Sequence, residues 1–142
     1  MASAEECKML VQRYIAAIST GDLGALDEII ATDFIDHNGF PGQTPGREGA
    51  KELVRVYRTA FPDVRWTIED QIAEENKVTT RWVARGTHLG NLFGVGPTGR
   101  RVEVEGIGID WVRDGRLAEG WLSFDQFGLL HQIGALPLPE DD

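Results

Sequence analysis

Three side chains in this sequence stand where proton transfer could be done. Asp125 lies in the run Gly120 to Gly134, GWLSFDQFGLLHQIG, among Trp121, Phe124 and Phe127, a setting in which a carboxyl's ionisation responds to burial. Asp110 shares one face of a strand pattern with Gly106 and Gly108, whose missing side chains permit a bend, a close neighbour or a cavity. His88 ends a strand face that includes Trp82 and precedes a glycine-rich loop. These three are the candidates for acid/base work or for gripping a substrate hydroxyl, with Asp125 first. Each also has a structural reading: Asp125 as the cap of a closing helix, Asp110 as a solvated edge residue near a hairpin, and His88 as the anchor of the loop.

The chemistry around them is apolar and aromatic. His37 and Asn38 sit beside a Gly/Pro loop as polar contacts at a pocket mouth, while Trp66, Trp82, Trp121 and Phe124 would wall a flat slot, with Trp111 as a fourth tryptophan. Three widely separated histidines and the single cysteine, Cys7, give no ligand spacing of the HExxH or CxxC kind, so no metal is expected. There is no GxGxxG after a strand and no GxxxxGK, so no nucleotide cofactor is expected either.

The elements that must position these residues are readable from periodicity. Ser3 and Glu6 have capping-box spacing, and Cys7, Val11, Tyr14 and Ile18 fall on one face of a helix from about Ala4 to Thr20, stopped by Gly21. Asp22 would cap a short second helix through Leu23, Leu26, Ile29 and Ile30. A third runs from Arg47 through Leu53, Val54, Tyr57 and Phe61 to Pro62. The period then changes to two: Val64 to Glu74, Val78 to His88, Val102 to Val112 and Leu117 to Asp125 read as strands. Turns fall at Glu75-Asn76-Lys77 and at Asp114-Gly115. The loop Gly90 to Gly99 carries Leu92, Phe93 and Val95, so it should fold back over something. Helices followed by antiparallel strands predict an α+β fold, a strongly curved sheet forming a cone whose open end takes a small molecule.

Size and charge bound the rest. The 142 residues suit one domain over 1–142, with the tail Pro137 to Asp142 loosely held. A net charge of −9 and no Lys/Arg track argue against nucleic acid. No apolar run approaches the roughly 20 residues of a bilayer span, and the acidic N-terminus is unlike a signal peptide, so a cytoplasmic protein with no membrane partner is expected.

The segments Asp36-His37-Asn38, Ala60-Phe61-Pro62-Asp63, Gly86-Thr87-His88-Leu89-Gly90, Gly96-Pro97-Thr98-Gly99-Arg100, the Asp114-Gly115 hairpin and Gly128 to Gly134 resemble, in order and spacing, the SnoaL-like polyketide cyclases. That family has the cone-shaped fold of the nuclear transport factor 2 and ketosteroid isomerase type, closed by three N-terminal helices. The resemblance implies a small hydrophobic aromatic substrate of the anthracycline polyketide type, no cofactor, and a homo-oligomer, dimer or tetramer. It also implies an acid/base pair for aldol ring closure, an Asp at position 122 and a His at position 108. Leu122 and Gly108 stand there instead. The chain is in this respect similar to hydroxylase-like members that lack the pair, which implies assistance to cofactor-independent hydroxylation. Ring closure with a relocated base and a non-catalytic binding module are the alternatives.

Overall fold

In the computed structural model, which describes residues 2–136, the first helix, α1 (Ala4–Thr20), begins as its sequence demands. Ser3 accepts from the Glu6 N–H and the Glu6 side chain returns to the Ser3 N–H, satisfying two orphan donors reciprocally. Gly21 ends the helix in the left-handed region at φ 81°, where a Cβ would be strained. Asp22 then caps a single 3₁₀ turn by accepting from the Ala25 N–H, and the turn runs into the short α2 (Leu26–Ile29). The third helix, α3 (Gly46–Ala60), carries Ala50 and Val54 into the core.

Five strands follow or interleave: β1 (Ile30–Asp36), β2 (Arg65–Glu74), β3 (Lys77–Thr87), β4 (Arg101–Arg113) and β5 (Arg116–Phe124), in the spatial order β1-β5-β4-β3-β2. The α+β expectation holds, with one correction to the antiparallel sheet: β1 runs parallel to β5. Its sequence, with its apolar residues in the adjacent pairs Ile30-Ala31 and Phe34-Ile35 around Thr32 and Asp33, lacks the alternation that marked the other strands. Register breaks between Ile68 and Asp70 and between Trp111 and Val112 bend the long strands. A short helix, α4 (Gln126–Gln132), closes the end. No helix among the described residues is long and apolar enough to cross a membrane. Pro137 to Asp142, where a loose tail was expected, lies outside the described residues.

Alternation assigns the faces. Val78, Thr80 and Trp82 of β3 point inward, while Arg81 and Arg85 stay on the outer face with the exposed Ile107 and Ile109 of β4. Two apolar clusters fill the concave side. One joins α1, α2 and β1 to Val78, Val112 and Leu117; the other joins Phe61, Val64, Val102 and Val104 to α4, and Trp66 touches both. Between them the sheet and helices leave a gap.

Candidate active site

That gap is a cavity of about 220 Å³, walled by members of both clusters and by Tyr14, Trp66, Trp82 and Phe124. Asn38, Arg85 and Leu122 are the exposed members of its lining. Phe93, in the loop after β3, packs at 5.1 Å from Phe40 and 6.2 Å from Tyr57, so the apolar loop does fold back toward the cavity.

The floor is made by glycines. In the β4–β5 ladder Gly106 pairs with Phe124, Gly108 with Leu122 and Asp110 with Gly120, with no irregularity among them. A Cβ at Gly106 would lie 2.3 Å from the Trp82 ring, so this glycine lets the indole lie flat on the strand. At Gly108 the nearest atoms would be 3.5 Å and 3.7 Å away, an ordinary contact, so a methyl would fit there without displacing a neighbour. Gly108 and Leu122, where the resemblance implies His and Asp, face each other across the ladder and both line the cavity.

Asp110 is one step further along the same face, about 7 Å from Gly108 on a strand's rise. It faces the cavity. Its pKa is pushed up to about 7, first by desolvation and then by the charge of Asp36. The solvated-edge reading of Asp110 is corrected by the topology: β4 is an inner strand, and Asp110 is flanked by Val78 on β3 and Gly120 on β5. A Cβ on Gly120 would come within 3.1 Å of the Asp110 carboxyl, so this glycine too makes room for it. Asp36 is fixed from the other side: its carboxyl accepts from the Asn38 N–H at 3.0 Å and from Gln43 Nε2 at 3.2 Å. Tyr14 of α1 completes this end, its phenol pushed up by burial and by the nearby Asp110 and Asp36. At the other cluster the Tyr57 hydroxyl is buried without a partner among the described residues, and burial pushes it up to about 12.

The other candidates divide. Trp66, Trp82 and Phe124 line the cavity, as does Asn38, whose Oδ1 accepts from the Leu122 N–H at 2.7 Å. The tryptophans wall the space without filling it. Asp125 lies outside: it is the N-cap of α4, its Oδ1 accepting from the Gly128 N–H at 2.8 Å. The strand ends at Phe124, one residue short of the expected boundary. His37 is on the outer side of the sheet, stacked on Trp121 at 4.1 Å and donating to Glu119 from Nε2 at 3.0 Å. Trp121 borders the cavity through its backbone, while its ring lies against His37 and Trp111. His88 is fully buried behind the cavity wall against Phe61. Its Nδ1 accepts from the Thr98 N–H at 3.3 Å and its backbone pairs with Gly99 and Arg100, so it holds the loop. Tyr14 and Tyr57 were missed because a tyrosine on a helix's core face reads as filling. The available signal was the hydroxyl, which needs a partner when buried.

With this geometry in place, comparison with known proteins adds a second line. The family described as SnoaL-like polyketide cyclase matches residues 8–133. Nogalonic acid methyl ester cyclase of Streptomyces nogalater is 30% identical over 132 residues, covering 90% of this chain and 96% of that protein. Among solved structures, TsrD from Streptomyces laurentii superposes with a TM-score of 0.88 at 29% identity, covering 96% of this chain and all of that one (100%). AclR from Streptomyces galilaeus, a candidate hydroxylase, superposes with a TM-score of 0.84 at 27% identity, covering 97% and 87%.

Proposed function

Because the chain belongs to the SnoaL-like polyketide cyclase family, we propose that it acts on an aromatic polyketide and closes a ring of it by intramolecular aldol addition, with Asp110 moving the proton. The observation that carries this reading is a carboxyl pushed up to about 7 inside an apolar cavity, in a chain where the family's own pair is replaced by Gly108 and Leu122. A base works best when its pKa lies near the working pH. Ionised Asp110 takes a proton from the carbon between two carbonyls. The resulting enolate attacks the third carbonyl within the same molecule, one C–C bond forms, and Asp110 returns the proton to the new alkoxide. The sum is an isomerisation. The apolar walls exclude water from the enolate and hold the two reacting carbons together, which lowers the entropic part of the barrier.

Hydroxylation is the second reading, supported by the likeness to AclR and by the absent pair. It needs molecular oxygen and a reduced, electron-rich ring. Incubation with nogalonic acid methyl ester, the compound in the relative's name, separates the two readings. Ring closure gives a product of unchanged mass, and hydroxylation a gain of one oxygen that depends on air. Asp110→Asn should lower the ring-closing rate on the order of 10²–10⁴-fold. An Asp110→Asn protein that closes the ring at the wild-type rate removes Asp110 from the mechanism.

A further inference from the structure

We propose that the Thr80 hydroxyl, its direction set by Gln71, donates a hydrogen bond into the cavity to a ketone or quinone oxygen of the substrate seated beside Gly108. The inference deepens the ring-closing reading and rests on it in one respect, that the cavity is where the substrate binds. It adds the side chain that holds a carbonyl there.

Gln71 and Thr80 belong to one row across the sheet. Gln71 of β2 pairs with Thr80 of β3, Thr80 with Gly108 of β4, and Gly108 with Leu122 of β5. Thr80, Gly108 and Leu122 all line the cavity, and Thr80 is only 2% exposed. Directly opposed residues carry their β-carbons about 4.5–5.5 Å apart, so the Thr80 side chain borders the position that Gly108 leaves without one. A Cβ there would meet only the Trp121 carbonyl oxygen at 3.5 Å and Leu122 Cδ1 at 3.7 Å. A carbonyl oxygen, smaller than a methyl, therefore fits beside Gly108 without displacing a neighbour.

The proton count fixes which way the hydroxyl works. Gln71 Nε2 donates to Thr80 Oγ1 at 3.1 Å and to the Lys8 carbonyl of α1 at 3.4 Å, while Gln71 Oε1 accepts from Gln12 Nε2 at 2.8 Å. Reversing the Gln71 amide would set two oxygens with no proton between them against each other at Lys8, so the nitrogen faces Thr80. Thr80 Oγ1 thus accepts from Gln71, and its own proton must go elsewhere. Among the described residues Oγ1 has no second hydrogen bond. A buried O–H without an acceptor is unfavourable, and the side left to it is the cavity. Leu122, across the row, brings only an aliphatic side chain. The acceptor comes with the ligand, and this edge of the site selects a carbonyl over a methylene.

The probe pair 9-fluorenone and fluorene, one flat ring system with and without a carbonyl, tests this on the full chain. Measurement at pH 8, where Asp110 is ionised and cannot donate, isolates the hydroxyl. By tryptophan quenching, Thr80→Val should weaken fluorenone about tenfold and leave fluorene unchanged, while Thr80→Ser keeps the ketone. The infrared carbonyl stretch of bound fluorenone should lie lower in wild type and Thr80→Ser than in Thr80→Val. Gln71→Glu, whose carboxylate takes the Thr80 proton for itself, should raise the stretch to the Thr80→Val value. A Thr80→Val protein that binds the ketone as tightly as wild type, or that loses both probes alike, would overturn the proposal. So would a stretch that Thr80→Val does not move, and a low stretch kept by Gln71→Glu would remove Gln71 from it. These measurements need no turnover. A chain that passes them but closes no ring keeps this inference and loses the ring-closing reading; one that closes the ring at the wild-type rate as Thr80→Val does the reverse.

Discussion

Replacing Asp125 by Ala removes the side chain that accepts from the Gly128 N–H at the start of α4. Loss of an N-cap of this kind costs about 1 kcal/mol. The expected outcome is a small fall in the urea midpoint with ring closure unchanged, because the carboxyl is spent on the helix and lies outside the cavity. Activity lost along with the cap would instead return Asp125 to the chemistry. The contrast with Asp110 shows what could be read from residue type and what could not. The β4–β5 register runs without a break from Gly106 to Asp110, which turns Leu122 to the cavity, while Asp125 lies beyond the end of β5 at Phe124 and outside the lining. The burial of Asp110 was not legible. Four residues from a hairpin turn, an Asp reads as solvated, and only the position of β4 inside the sheet, with Gly120 opposite, encloses it. His37 was visible as a histidine but not as a stacked outer residue, because that role depends on Trp121 and Glu119, distant in sequence, whereas the reading of His88 as anchor of the following loop is the one its contacts with Thr98 support.

At the scale of the elements, the two glycines of β4 look alike in the sequence and do different things. Gly106→Ala places a methyl 2.3 Å from the Trp82 ring, which is itself 8% exposed and packed near Phe124. The ring must shift, and overpacking of this sort costs about 1–3 kcal/mol. Gly108→Ala meets nothing closer than 3.5 Å and fills only cavity, so its stability should stay within about 1 kcal/mol of wild type while substrate affinity falls. Chemical denaturation of the two variants side by side checks this, and an equal loss in both would refute the distinction. The same scale shows why most elements were legible. Caps at Ser3 and Asp22, the stop at Gly21 and the Asp114-Gly115 turn are local signals, and the structure keeps all of them. The parallel pairing of β1 with β5 is not local. It joins residues 30–36 to residues 117–120 and leaves no trace in the alternation of β1 itself.

For the whole molecule, Asp110 sets how stability depends on pH, and the sign can be worked out. Its pKa is about 7 in the fold against 3.8 for the ordinary group. Below pH 4 the carboxyl is neutral folded or unfolded and contributes no difference. Between about pH 4 and pH 7 the unfolded chain releases this proton while the folded chain keeps it, so stability falls with rising pH, by an amount on the order of 4 kcal/mol in total, and then levels off. The depressed carboxyls act in another window. Asp27, lowered first by its hydrogen bond from Lys51, and Asp63, lowered by Thr87, contribute stability that is complete above the ordinary carboxylate range and is lost only as pH falls through their still lower folded values. Urea unfolding at pH 5, 6, 7 and 8 therefore isolates Asp110. Wild type should weaken steadily across pH 5 to 7, whereas Asp110→Asn should be nearly flat there and more stable than wild type at pH 8. Parallel curves for the two proteins would mean that the carboxyl is not held protonated by the fold. A site that keeps a carboxyl out of water destabilises the molecule at the pH where that carboxyl is most useful as a base, and the variant that gains this stability should be the one that loses ring closure.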